Sequence, residues 1–217
     1  MGNKLYKEEY IQDISNAIRE QTETDNTYDV SEMADVIRHI PKIGNFREWL
    51  SNPTNTTLIL PDAITTIGES AFRGLAYSLY DVDFPDSLQV IGGQAFRGCV
   101  LLSTINFKNV TSLGGASFRG CTGITEITLP GTINTIKDKA FMECTSLKTV
   151  TFTKGEFPFP TDTVAADIFL SCTALTDIYV YWNSSSSIAN APWGAPEGCI
   201  IHYTDKDMIV QADGSLE

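Results

Sequence analysis

At 217 residues the chain exceeds the usual single-domain size of about 100 to 150, and its 42% hydrophobic and 10% aromatic content is that of a folded protein. No apolar run approaches the roughly 20 residues that cross a bilayer, so membrane insertion is not expected. The net charge of −12 falls as −4 on each of the segments 1–50, 51–182 and 183–217, and an acid excess spread this evenly argues against a nucleic-acid partner.

Taken from its start, the chain carries charges throughout its first 30 residues and lacks the 7 to 15 residue apolar stretch of a secretory signal, so no export address is expected in it. Between Lys7 and Gln21 the apolar residues Tyr10, Ile11, Ile14, Ala17 and Ile18 fall at helical spacing. A second set, Val30, Met33, Ile37 and Ile40, follows the N-cap candidate Ser31 and stops at Pro41. Two short amphipathic helices are predicted, with Phe46, Trp49 and Leu50 closing one end of the core, and residues 1–50 are assigned to an N-terminal cap or attachment segment.

Residues 51–182 repeat. Phe72, Phe96, Phe118, Phe141 and Phe169 form one column at intervals of 24, 22, 23 and 28 residues. Three residues beyond each comes Leu75, Cys99, Cys121, Cys144 or Cys172, then Leu79, Leu102, Ile124, Leu147 or Leu175. An alternating triplet follows: Val82-Asp83-Phe84, Ile105-Asn106-Phe107, Ile127-Thr128-Leu129, Val150-Thr151-Phe152 and Ile178-Tyr179-Val180, with Leu58-Ile59-Leu60 as an earlier member. Apolar, polar, apolar with branched side chains predicts a half-buried strand. A turn containing Pro61, Pro85 or Pro130 leads to Ile67, Ile91, Leu113 or Ile136, followed by glycine in three cases and by Lys137 in the fourth. A unit of 22 to 24 residues cannot bury its apolar side chains alone, so successive units must stack with like columns touching and strands about 4.8 Å apart.

Near the end, Asn190 to Pro196 and then Ile201-His202-Tyr203 predict a final strand that covers the last repeat, and residues 183–217 are assigned to a C-terminal cap. The succession of strand, proline, Ile-Gly, Ala-Phe and Gly-Cys, as in Gln94-Ala95-Phe96-Arg97-Gly98-Cys99, resembles the BspA-like leucine-rich repeats over roughly residues 56–182. The resemblance implies an α/β repeat solenoid, a right-handed leucine-rich-repeat coil with a short parallel sheet and a small N-terminal helical segment. Residues 14–19 with 31–38, and the closing segment, are similar to parts of phage and prophage tail-region proteins.

Material for chemistry is scarce. Two histidines, His39 and His202, leave little for metal sites or a Ser-His-Asp triad, and no GxSxG, phosphate-binding loop, GxGxxG or HExxH occurs. No catalytic residue, metal or cofactor is assigned. The cysteine column reads as inert core thiols rather than redox or metal ligands. Asp81, Asp83 and Asp86 suggest calcium, but the glycine and terminal glutamate of a calcium loop are missing, which favours a solvated strand face. Arg73, Arg97 and Arg119 stack at one position and are expected to pair with nearby acids, with anion gripping as the alternative.

Two outward columns remain as candidate partner-binding residues. One holds Thr57, Asp81, Thr104, Glu126, Thr149 and Asp177; the other holds Ile59, Asp83, Asn106, Thr128, Thr151 and Tyr179. Phe157 and Phe159, on the proline-stiffened excess around residues 153–163, are either a projecting contact site or folded back onto Phe152. These features predict a non-enzymatic binding module for a protein or surface glycan, at the cell surface or on a virion if the resemblances hold. A tail-associated structural or host-recognition protein is the alternative. A glycan hydrolase would have to pair Asp81 with Asp83 or Glu126.

Overall fold

The computed structural model describes residues 57–60, 64–73, 79–154, 165–185 and 190–217, so the two predicted helices and the attachment segment 1–50 lie outside the described residues. Strands are numbered in chain order. One series runs along the face predicted from the alternating triplets: β1 (Thr57–Ile59), β3 (Asp81–Asp83), β5 (Thr104–Asn106), β7 (Glu126–Leu129), β9 (Thr149–Phe152), β10 (Asp177–Tyr179), β11 (Ile200–His202) and β12 (Asp207–Ile209). A second series, β2 (Thr66–Ile67), β4 (Val90–Ile91), β6 (Ser112–Leu113) and β8 (Thr135–Ile136), stands where the sequence predicts only a turn leading to a column residue. Every pairing is parallel except β11 with β12. No α-helix occurs among the described residues; turns connect the two series.

Parallel stacking in strict register puts like residue against like residue, and the interior shows what that does. Phe72, Phe96, Phe118, Phe141 and Phe169 form a file of nearly parallel rings, with successive centroids 5.1, 5.1, 5.4 and 6.0 Å apart. Such stacked pairs add about 0.5–1.5 kcal/mol each beyond the area they bury. Beside the file, Phe107 meets Phe118 and Phe141 edge-on. Around these rings Leu79, Leu102, Ile124 and Leu147 are fully buried, and Leu175 nearly so.

The glycines after β4 and β6 have a steric cause. A Cβ on Gly92 would lie 2.7 Å from the backbone of Gly68, and one on Gly114 would lie 2.4 Å from the nitrogen of Gly93. After β8 the corresponding position is Lys137. After the long interval the chain is back in the pattern at Ala165, whose N–H bonds the carbonyl of Ile136 as that of Lys137 bonds Leu113.

Two irregularities position the outward face. β5 and β7 lie side by side, yet belong to separate sheets, β1-β3-β5 and β7-β9-β10-β11-β12. The unit that joins them is the 22-residue one, whose turn lacks a proline and places Lys108 in the left-handed region at φ 44°. At the other end Trp193 takes over the core: its carbonyl accepts the N–H of Phe169, and its ring packs 5.6 Å from Phe152 and 6.4 Å from Trp182. β12 then turns back antiparallel, and Val210 bridges to Leu216.

Candidate binding surface

The registered pairs build the outward face column by column. Thr57, Asp81 and Thr104 are in register, as are Ile59, Asp83 and Asn106. Across the seam, Glu126, Thr149, Asp177 and Ile200 form one column, and Thr128, Thr151, Tyr179 and His202 the other. The predicted surface residues with described side chains are therefore brought together on one face, interrupted between β5 and β7. Asp83, Thr104, Asn106, Glu126, Thr128 and Tyr179 are exposed, while Asp81, Thr149, Thr151 and Asp177 are half-buried. Phe157 and Phe159 lie outside the described residues.

On the near part of the face, Lys108 Nζ sits 3.1 Å from Asp83 and 3.6 Å from Asp86. The shortened turn carries Lys108 back over the preceding unit, so two of the three carboxylates weighed for calcium, Asp83 and Asp86, hold an ammonium. The hydrogen bond to Asp83 raises the Lys108 pKa above its ordinary value despite the opposing effect of burial. Leu60, Phe84, Pro85 and Ser87 join these three groups around an open groove of about 360 Å³. Of the acids considered for hydrolysis, Asp83 is thus engaged by Lys108, and Glu126 stands two strands from Asp81 with β5 between.

The far part is held differently. His202 presents Nε2 at 2.8 Å to Asp177 Oδ1 and Nδ1 at 3.0 Å to Asp207 Oδ1, and its ring stacks on Tyr179 with centroids 4.3 Å apart. The hydrogen bond from His202, with a second from the Thr176 hydroxyl at 2.7 Å, holds the Asp177 carboxyl below its ordinary pKa. Sequence reading gave His202 only a place in the closing strand. The missed signal is the alternation of Ile201 and His202, which continues that of Ile178 and Tyr179 across an interval broken by Pro192 and Pro196.

The other candidates have structural work. Arg119 forks onto Glu143 of the next unit, Nε to Oε2 at 3.0 Å and a terminal nitrogen to Oε1 at 2.7 Å. That hydrogen-bonded pair raises the arginine and lowers the glutamate. Arg97 donates to the Gln94 side-chain carbonyl at 3.0 Å. The thiols of Cys99, Cys121, Cys144 and Cys172 each donate to the phenylalanine carbonyl one unit back, at 3.3, 3.1, 3.3 and 3.0 Å. The carbonyls of Phe96, Phe118 and Phe141 also accept the N–H of Cys99, Cys121 and Cys144, so the thiol is a second donor in a column that suits a small residue, apolar in bulk and able to donate weakly. All four are free thiols. Burial drives Cys121 well above its ordinary pKa; a thiol hydrogen bond with Cys172, then burial, does so for Cys144. Cys199, beside β11 and outside this column, is pushed by burial up to about 12.

A stack of short parallel strands that recur with a unit of about 23 residues, with a file of like side chains inside, defines a leucine-rich-repeat solenoid. The chain belongs to the BspA-type leucine-rich-repeat family: the model of the BspA type leucine rich repeat region (6 copies) matches residues 47–176. Among solved structures it is similar to a leucine rich cell surface protein from Faecalibacterium prausnitzii, at 31% identity over 57% of this chain and 31% of that one, with a TM-score of 0.50. The pneumococcal vaccine antigen PcpA shares the fold at 18% identity over 70% of this chain and 36% of that one, TM-score 0.58. The chain thus spans about a third of the length of these two proteins. No protein among those with curated functions matches it.

Proposed function

We propose that the chain is a non-enzymatic binding module of a bacterial surface protein and that its outward sheet face makes adhesion-type contacts with a protein or surface glycan. The observation that carries this reading is the behaviour of alternate positions on the same strands. Inward positions repeat branched or aromatic residues, whereas outward positions change from unit to unit while remaining in register. A rigid scaffold that fixes a surface and varies its side chains is what recognition by a repeat protein requires. Placement at the surface is supported by the cell-surface description of the Faecalibacterium protein.

In this reading residues 51–182 form the recognition array, 183–217 its closing cap, and 1–50 its cap or attachment. Asp81, Asp83, Thr104, Asn106, Glu126, Thr128, Thr149, Thr151, Asp177 and Tyr179 are the contact set, joined by Phe157 and Phe159 if their loop reaches the partner. The acids favour a polar or basic partner. Replacing Asp83, Asn106 and Thr128 together by lysine is expected to abolish capture of a partner identified by pull-down or glycan array, while the circular dichroism and melting curve stay near wild type. Full retention of binding by the triple variant would move the contact site off this face.

A further inference from the structure

We propose that Asp177, His202 and Asp207 form a proton-operated latch that closes the far end of the sheet and fixes Tyr179 on the outward face. His202 stands on β11 and reaches both neighbours, touching Asp177 on β10 and Asp207 on β12. Both contacts are hydrogen bonds only when both ring nitrogens carry a proton. A neutral imidazole has one donor and one lone pair, so losing the proton turns one of the two contacts into a lone pair facing a carboxylate. The imidazolium also packs flat on Tyr179, 10° from parallel, so the device that joins three strands positions the exposed aromatic of the face.

The charged and titratable groups facing His202 are Asp177 and Tyr179 from β10 and Asp207 from β12. Asp205, in the connecting turn, is occupied by the amide and hydroxyl of Ser184 at 2.7 and 2.8 Å. Burial alone would lower the His202 pKa, but the bonds to Asp177 and Asp207 outweigh it and the net shift is upward. A raised histidine stabilises fully below its ordinary value of about 6.5 and loses that contribution as pH rises through the folded pKa. The depressed Asp177 stabilises fully above about 3.9 and loses its contribution as pH falls through its own folded pKa. The latch is therefore closed between about pH 4 and 6.5 and opens on the alkaline side. Asp207, with its side chain 64% exposed against 31% for Asp177, is the partner that swings away.

The test is a titration of the full chain by NMR, following the His202 ring and the exchange protection of the hairpin amides Tyr203 and Val210 from pH 5.5 to 8.5, corrected for intrinsic exchange. The expected result is a His202 midpoint above that of an unstructured histidine and a several-fold loss of hairpin protection across that midpoint. Asp177→Asn should lower the midpoint. His202→Gln should make hairpin protection independent of pH while the amides of Phe96 and Phe118, deep in the stack, keep theirs, which shows that the variant folds. A His202 midpoint at or below that of the unstructured residue, or the same pH profile in His202→Gln, would overturn the latch.

Discussion

Along β7, Ile127 and Leu129 are 3% and 0% exposed, while Glu126 and Thr128, which alternate with them, stand in solvent. The same one-residue alternation separates Val150 from Thr151 and Ile178 from Tyr179. Neighbouring residues of one strand thus live under opposite constraints. An inward side chain touches its own copy above and below, so a change in one unit is felt in three. An outward side chain meets solvent and can change at little cost to the fold. This difference locates function: what the scaffold needs is repeated, and what a partner would read is free to vary.

The contrast can be broken most severely from inside. Phe118→Ala, at the centre of the ring file, removes two stacked contacts and leaves a cavity that the rigid stack cannot close. The expected loss is about 3–5 kcal/mol, read as a fall in Tm of roughly 10 °C. A loss below about 1 kcal/mol would mean that the file packs more loosely than an ordinary core. Gly114→Ala tests the close approach of the second series, since its Cβ would meet the backbone of Gly92 and Gly93. Overpacking of this kind is expected to cost about 1–3 kcal/mol in denaturant unfolding. The smallest effect has the opposite sign. Ser117 takes the place held by Ala71, Ala95 and Ala140 in other units, and its hydroxyl is buried with no hydrogen-bond partner among the described residues. Ser117→Ala is expected to stabilise by about 1 kcal/mol, seen as a Tm rise of roughly 2–4 °C; a fall would reveal a bond to that hydroxyl.

Much of the fold was legible because a period of about 23 residues repeats the same physical demand. The phenylalanine and cysteine columns and the alternating triplets all stand where their spacing put them. The second series of strands was not legible as strands, because two residues such as Val90-Ile91 are too short to show alternation. Its glycines carried the signal, though only the stacked structure shows what a Cβ would strike. The position before each cysteine reads as glycine at Gly98 and Gly120, yet Glu143 and Ser171 take the same left-handed conformation. Stacking on both sides imposes the conformation, and glycine is merely the residue that adopts it most readily.

The candidate surface divides in the same way. Its columns followed from counting, but the bonds that organise them did not. The reach of Lys108 to Asp83 and Asp86 depends on a turn one residue shorter than its neighbours, and the bridge of His202 depends on a strand that returns to register after an irregular segment.

By itself the sequence determined the class of fold and which residues face inward, since a repeated unit that cannot bury its own core must bury it against its copies. Tertiary structure alone decided the break between β5 and β7, the donor role of the thiols and the grouping of Asp177, Tyr179, His202 and Asp207. Each of these joins residues about one unit or more apart through distances of a few ångströms, and a period locates columns without measuring the gaps between them.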